Sequence, residues 1–100
     1  MEKLKPQYPL SRIKELIAEG RCVITATAVK SAFSDFLLGP EGVFDVILRM
    51  NQSDFYKSMT TRFNSRIWQD VYHKDIQGKK AYIKVQILED ETVVISFKEK

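Results

Sequence analysis

The sequence contains one cysteine, one histidine and no long uninterrupted apolar run. Because Cys22 has no second cysteine to pair with, an internal disulfide is excluded. One cysteine and one histidine also provide too few ligands for a structural zinc site. Together with the lack of a signal peptide or a membrane-spanning run, these absences predict a protein of the reducing cytoplasm that does not enter a membrane.

Clustered glycines and clustered carboxylates are also missing. The four glycines are scattered, so the sequence has no glycine-rich phosphate loop. Residues 57–84 carry seven lysines and arginines but only two aspartates, a net charge of +5 against +3 for the whole chain. A metal-dependent nuclease would need converging carboxylates, which this segment does not supply. Its local positive charge is what a polyanion-binding surface needs.

Length and composition predict one globular domain. The chain has 100 residues, of which 44% are hydrophobic and 29% charged, enough for a single modest core. We expect residues 1–9, which are polar and carry two prolines, to form a loose arm. Ser11 predicts the N-cap of a first helix over about residues 12–19 that ends at Gly20. Residues 21–25 read as a brief strand or an extended connector.

Two more helices are predicted before the chain changes character. The second begins after Thr25, ends at Gly39-Pro40 and buries an apolar stripe comprising Ala28, Val29, Ala32, Phe33, Phe36 and Leu37. Residues 41–50 suit a buried helix or a strand, and their apolar spacing favours the helix. Residues 51–54 resemble a cap that leads into a helical turn over residues 55–59. Residues 60–66 are polar and predict a loop.

The last third predicts an antiparallel meander. Residues 67–73 and 81–88 read as strands, with turns at Gln77-Gly78 and at residues 89–91. Val93, Ile95 and Phe97 are expected on the buried face of the last strand. Helices followed by adjacent strands indicate an α+β fold, with N-terminal helices packed on one face of a C-terminal antiparallel sheet. The opposite face keeps a set of polar side chains, namely Tyr82, Lys84, Gln86, Ser96 and Lys98.

Metal-free RNA cleavage is the chemistry that these residues suit best. Attack of a ribose 2′-OH on its own phosphate needs a base, an acid for the leaving 5′-oxygen, and cations or donors on the phosphoryl oxygens. Lys57, Gln69, His73 and Tyr82 offer such groups, and Tyr56 offers a ring for an unpaired base. Composition alone leaves non-catalytic binding of nucleic acid or protein open.

Three motifs carry a resemblance to a known family. They are SDFYKSMTT at residues 53–61, IWQDVY at residues 67–72 and VISFKEK at residues 94–100. In this order they resemble the MqsR family, the toxins of a bacterial type II toxin–antitoxin pair. The start of the chain, Met1-Glu2-Lys3 with Leu10-Ser11 and Gly20, is similar as well, and the resemblance is weakest over residues 21–50.

The resemblance implies a RelE-like ribonuclease fold and an endoribonuclease that cuts single-stranded messenger RNA without the ribosome, at sites containing GCU. It implies no metal or organic cofactor. The implied partner is MqsA, a zinc-containing, DNA-binding antitoxin dimer, so DNA is reached only through the antitoxin.

The resemblance also assigns residues. The family's catalytic positions fall on Lys57, Gln69 and Tyr82, and its positions beside the substrate fall on Tyr56 and Met59. Among the flanking cations we expect substrate contacts from Arg62, Lys84 and Lys98. His73 departs from the pattern, which usually has a basic residue there. In a regular strand it would share a face with Gln69, where a histidine suits acid or base work.

Two other classes of function stay open. A toxin-like binding module that has lost its activity would act only through its antitoxin, although the three catalytic residue types are kept. A basic DNA-binding domain would bind duplexes without cleaving them, but no helix-turn-helix is recognisable.

Overall fold

The computed structural model describes residues 1–100 and consists of three helices and six strands. The strands are β1 (Glu2–Lys3), β2 (Cys22–Ile24), β3 (Phe55–Thr60), β4 (Trp68–Ile76), β5 (Lys79–Leu88) and β6 (Glu91–Glu99). The helices are α1 (Leu10–Ala18), α2 (Ala26–Phe36) and α3 (Pro40–Leu48), and a 3₁₀ turn spans Gln52–Asp54. None of these helices combines the length and the apolar composition needed to cross a bilayer.

All six strands form one mixed sheet in the order β1-β3-β4-β5-β6-β2. The predicted α+β class is confirmed, but the sheet is neither wholly C-terminal nor wholly antiparallel. β1 and β2 come from the N-terminal half, and β2 runs parallel to β6. Each covers an edge that β3 or β6 would otherwise expose, which satisfies backbone groups along that edge.

The helices form where the sequence predicts them, with local corrections at the start of α1 and at the end of α2, which is Phe36 rather than Gly39-Pro40. α1 begins at Leu10 rather than residue 12, because the Pro9 carbonyl accepts the first helical N–H bonds and Ser11 caps nothing. Thr25 does cap α2, since its Oγ1 accepts the Ala28 N–H at 3.2 Å. The ambiguous residues 41–50 are helical, as favoured, and Pro40 occupies the first turn of α3.

The apolar stripe predicted for α2 is only partly buried. Ala28 and Ala32 are fully buried, whereas Val29, Phe33 and Leu37 are exposed. The small alanines let α2 approach β6, where the Ser31 hydroxyl donates to the Phe97 carbonyl at 2.7 Å.

Residues 55–59 are a strand and not the predicted helical turn. Asn51 and Asp54 do form the expected reciprocal cap, but the helix that they cap is the single 3₁₀ turn. The chain then extends into β3, which pairs with β4 on one side and β1 on the other. Hydrogen bonds to two neighbouring strands decide this conformation, which local sequence could not indicate.

Both predicted turns are two-residue hairpin connections, although the second is shorter than predicted because Glu91 already begins β6. Gln77 and Gly78 have φ angles of 49° and 85°, and Glu89 and Asp90 have φ angles of 51° and 58°. Consecutive left-handed residues match the right-handed twist of the flanking strands, so β4, β5 and β6 form a continuous meander.

One core joins the helices to one face of the sheet. Residues of α1, α2 and α3 cluster with Tyr72, Ile83 and Phe97 from the strands. In β6 the buried positions are Thr92, Val94 and Phe97, so the predicted alternation through Val93 and Ile95 is wrong. The pairing of β6 with β5 shifts between Lys84 and Val85, and this irregularity changes which side chains face the core.

Residues 1–9 do not form the predicted loose arm. Glu2 and Lys3 pair with Met59 and Ser58. The backbone N–H groups of residues 7 and 8 donate to the fully buried carboxylate of Asp70, at 3.0 and 2.9 Å. Backbone N–H groups and the Glu2 side chain anchor this segment to the sheet, and a hydrophobicity pattern does not reveal that kind of anchoring.

Candidate active site

The candidate site lies on the face of the sheet that is turned away from the core, here called the polar face. Strand alternation places Lys57 and Met59 of β3 beside Gln69 and His73 of β4. It places Tyr82, Lys84 and Gln86 on the adjoining strand β5, and Lys98 on β6. Three central strands therefore bring together side chains that are up to 29 positions apart in the sequence.

Lys57 is held by an acidic residue from the N-terminal strand. Its ammonium group donates to the Glu2 carboxylate, and the two form an ion pair. This hydrogen bond raises the pKa of Lys57 above its ordinary value, and desolvation of the ammonium group offsets only part of that rise. Lys57 is therefore cationic at neutral pH, which suits binding of a phosphate.

Tyr82 places a protonated phenol on the polar face of the sheet. Its hydroxyl lies 4.0 Å from the Met59 sulfur. The ammonium groups of Lys98 and Lys84 lie 5.3 and 5.8 Å from its ring centroid. Burial raises the pKa of Tyr82, although Lys57 acts in the opposite direction. The hydroxyl thus keeps its proton at neutral pH and can donate it.

His73 stands directly across from Tyr82 in the pairing of β4 with β5. Its ring stacks on Tyr56 at a centroid distance of 4.3 Å. Burial lowers the pKa of His73, and the positive charges of Lys100, Lys80 and Lys57 lower it further. Its Nε2 atom is buried and has no hydrogen-bond partner. The imidazole is consequently neutral at neutral pH and has a ring nitrogen that no protein group occupies.

Gln69 is oriented by a second glutamine. Its Nε2 donates to Oε1 of Gln86 at 2.9 Å, and Gln86 itself is nearly buried. This bond uses one N–H of the Gln69 amide and leaves the second for another acceptor. Gln69 lies opposite Met59, so its amide sits beside the part of the polar face occupied by Tyr82.

The flanking cations divide into two groups. Lys84 and Lys98 belong to the polar face, and burial together with neighbouring Lys98 and Lys57 lowers the pKa of Lys84. Arg62 lies instead on the exposed loop between β3 and β4, outside this cluster. The structure thus brings all the sequence-predicted site residues onto or next to one surface, except Arg62.

Sequence reasoning missed one member of the site, Glu2, and assigned no role to Gln86. Glu2 belongs to the segment that was expected to be loose, and nothing in its neighbourhood signals a bond to a lysine 55 positions away. Gln86 was predicted on the polar face of β5, where it alternates with Tyr82 and Lys84, but its bond to Gln69 could not be predicted from the sequence.

A cationic ammonium, a protonated phenol, a neutral imidazole and a positioned amide on one basic surface define a candidate site for phosphate chemistry on a polyanion. Comparison with known proteins gives the family. The family model described as "Motility quorum-sensing regulator, toxin of MqsA" matches residues 5–99. The chain is also 39% identical, over the full length of both proteins, to the mRNA interferase toxin MqsR of Escherichia coli strain K12. The chain therefore belongs to the MqsR toxin family, as its motifs predicted.

Proposed function

We propose that this chain is an mRNA interferase, a toxin that cleaves single-stranded messenger RNA by attack of a 2′-OH on the adjacent phosphate. One observation carries the proposal. On a single basic surface, the environment of His73 lowers its pKa, which suits a base. The environments of Tyr82 and Lys57 raise their pKa values, which suits an acid and a cation respectively. Such a division of roles among neighbouring titratable groups is typical of an active site.

In the proposed first step His73 accepts the proton of the 2′-OH. The imidazole is neutral, and its Nε2 atom has no partner in the protein. Because that atom is buried in the free structure, the stacked Tyr56 ring must shift to admit the ribose. Tyr56 is half exposed, so it can turn outward and stack on a nucleobase instead.

The 2′-oxygen then forms a bond to phosphorus while the bond from phosphorus to the 5′-oxygen breaks. Lys57 and the free N–H of Gln69 stabilise the charge that builds up on the phosphoryl oxygens. Tyr82 gives its proton to the leaving 5′-oxygen, and the resulting phenolate is stabilised by Lys84 and Lys98 above its ring. The products are a 2′,3′-cyclic phosphate and a 5′-hydroxyl, and solvent returns the proton from His73 to Tyr82.

The same site supports the finer family expectations. Residues of this chain fill every role in the mechanism, so it uses no metal or organic cofactor. We infer a RelE-like arrangement of helices on the sheet, activity in the cytoplasm without the ribosome, and a preference for GCU-type sequences. The partner named in the family description, MqsA, leads us to propose a cognate zinc-containing, DNA-binding antitoxin for this toxin.

The experiment is cleavage of a defined single-stranded RNA containing one GCU site, in EDTA, with analysis of the fragment ends. Wild type is compared with Lys57→Ala, Tyr82→Phe and His73→Gln. The control variant is Lys30→Ala, which removes an exposed lysine of α2. A second substrate carries a 2′-O-methyl group at the scissile nucleotide, which blocks the nucleophile and leaves the rest of the RNA unchanged.

We expect cyclic phosphate ends from wild type and from the control variant. Each site variant should lose about 10²- to 10⁴-fold in rate, the range found for removal of acid–base or charge-stabilising groups. The 2′-O-methyl RNA should stay intact. Folded wild-type protein that leaves the unmodified RNA intact would favour the alternative, an inactive toxin-like module that acts through its antitoxin. Full activity in all three site variants would keep the enzyme and reject this site.

A further inference from the structure

The N-terminal segment is fixed to the sheet on both sides of Glu2 and Lys3. The Thr60 N–H donates to the Met1 carbonyl at 3.0 Å, which extends the pairing of β1 with β3. Further along, the Tyr8 hydroxyl donates to the Trp68 carbonyl at 2.8 Å, and the Asp70 carboxylate accepts two backbone N–H groups of this segment. The backbone of Glu2 is therefore part of the fold rather than of a free tail.

Glu2 lies opposite Met59 and reaches diagonally to Lys57, two residues earlier on the same face of β3. A lysine side chain is long and samples many rotamers, so an unrestrained ammonium group would spend little time in any one place. The Glu2 carboxylate restrains it through a charge-assisted hydrogen bond. An ammonium group has three donors, so two remain for the polar face.

We propose that Glu2 is a positioning residue, which holds the Lys57 ammonium group in place for the phosphate of the RNA. The inference rests on the role proposed above for Lys57. Glu2 itself acts through Lys57 and contacts no reacting atom. The opposite possibility is that Glu2 competes with the phosphate for Lys57. The two possibilities predict changes in activity of opposite sign when Glu2 is removed.

Glu2 supplies the negative charge that balances Lys57 among its titratable neighbours. The titratable groups that face it are Tyr56 on β3, His73 on β4, and Tyr82 and Lys84 on β5. Glu2 on β1 is the one carboxylate among them. Without it Lys57 would face another lysine with no counter-charge, which would move its ammonium group outward and make the neutral amine easier to form.

The kinetic test uses two substitutions at Glu2 and one matched control. Glu2→Gln keeps the shape and removes the charge, and Glu2→Asp keeps the charge but shortens the reach. Glu19→Gln removes an exposed glutamate at the end of α1 that forms none of the ion pairs. We expect kcat to fall by roughly tenfold in Glu2→Gln and less in Glu2→Asp, with KM nearly unchanged and the control at the wild-type value.

A double substitution separates positioning from a general structural effect. In a Lys57→Met background Glu2→Gln should cost no further activity, because the residue through which Glu2 acts is gone. A similar loss in both backgrounds would overturn the proposal. An increase in kcat/KM in Glu2→Gln would also overturn it, since it would identify Glu2 as a competitor of the phosphate.

The reactivity of the Lys57 amine can be measured without RNA, so this test does not depend on the proposed function. An amine-reactive reagent is applied to the folded proteins, and modification of Lys57 relative to exposed Lys30 is followed by peptide mass spectrometry. Lys57 should react more slowly than Lys30 in wild type and several-fold faster in Glu2→Gln than in wild type. Equal Lys57 reactivity in the two proteins would show that Glu2 does not restrain it. Labelling as expected in a protein that cleaves no RNA would reject the proposed function alone.

Discussion

The rings of Tyr56 and His73 lie nearly parallel, with centroids 4.3 Å apart and an interplanar angle of 22°. The contact depends on an irregularity in β3, where the pairing with β4 shifts between Phe55 and Lys57 and turns Tyr56 toward the polar face. Tyr82 lies on the other side of the imidazole, 6.0 Å from it. His73 is thus enclosed by two aromatic rings, which explains its desolvation.

Replacement of Tyr56 tests whether its ring receives a nucleobase. Tyr56→Ala should lower kcat/KM by roughly tenfold, since base–aromatic stacking contributes about 1–3 kcal/mol per base. Tyr56→Phe keeps the stacking ring and should stay close to wild type. Steady-state cleavage of a short RNA measures both. Loss of activity in Tyr56→Phe equal to that in Tyr56→Ala would assign the effect to the hydroxyl.

The pH dependence of cleavage tests His73 as the base. Because burial lowers its pKa below the ordinary 6.5, activity should persist below pH 6.5 and fall only as the imidazole becomes protonated. The acid limb of kcat/KM should be absent from the residual activity of His73→Gln. It should move toward higher pH in Tyr56→Ala, where the ring is better solvated. A limb that is unchanged in both variants would exclude His73 as its source.

The same group affects stability, with a sign that follows from linkage. A histidine whose pKa is lower in the folded state binds fewer protons when folded than when unfolded. Its contribution is therefore lost from the free energy of unfolding as pH falls through 6.5 toward the folded pKa. Urea unfolding of wild type and His73→Gln at several pH values should show a smaller decline in the variant. Identical declines would mean that other groups dominate.

Arg62 provides a test of contacts outside the central cluster. It is exposed on the loop that joins β3 to β4, outside the strands that carry the other site residues. If it binds a phosphate of the RNA, Arg62→Ala should raise KM while kcat stays constant. It should also reduce the dependence of log KM on log salt by about 0.7, the share of one phosphate on a single strand. Lys30→Ala is the control, and an unchanged salt slope in Arg62→Ala would remove Arg62 from the substrate-binding set.

Asp70 tests the anchoring of the N-terminal segment. Its carboxylate is fully buried and accepts the N–H groups of Gln7 and Tyr8. Asp70→Ala should lower the free energy of unfolding by about 3 kcal/mol, because two charge-assisted bonds are lost and two donors are left unpaired. For a chain of this size that is a drop in Tm of roughly 15 °C. Asp45→Asn, which breaks an exposed ion pair with Arg49, should change Tm little.

Asp70 also links stability to the site. If the segment detaches, Glu2 should separate from Lys57. The amine-reactive reagent should therefore modify Lys57 faster in Asp70→Ala than in wild type, at a temperature at which the variant is still folded. Slow labelling of Lys57 in that variant would show that β1 stays paired without the Asp70 anchor.

Elements with strong local signals were predicted well. Thr25 caps α2, the α3 pattern is helical, and both hairpin turns lie where the sequence indicates them. Elements whose conformation depends on a distant partner were not. Residues 55–59 form a strand because β1 and β4 flank them, and the phase of β6 changes at an irregularity opposite β5.

The sequence by itself determined the α+β class, the meander of β4 to β6, the family, and which residue types stand at Lys57, Gln69 and Tyr82. These depend on periodicity, turn residues and motifs, all of which are local. Only the tertiary structure decided that the N-terminal segment forms an edge strand, that Glu2 bonds to Lys57, and that two rings enclose His73. Those relationships join residues that only the pairing of strands brings together, and they control the pKa values on which the proposed chemistry depends.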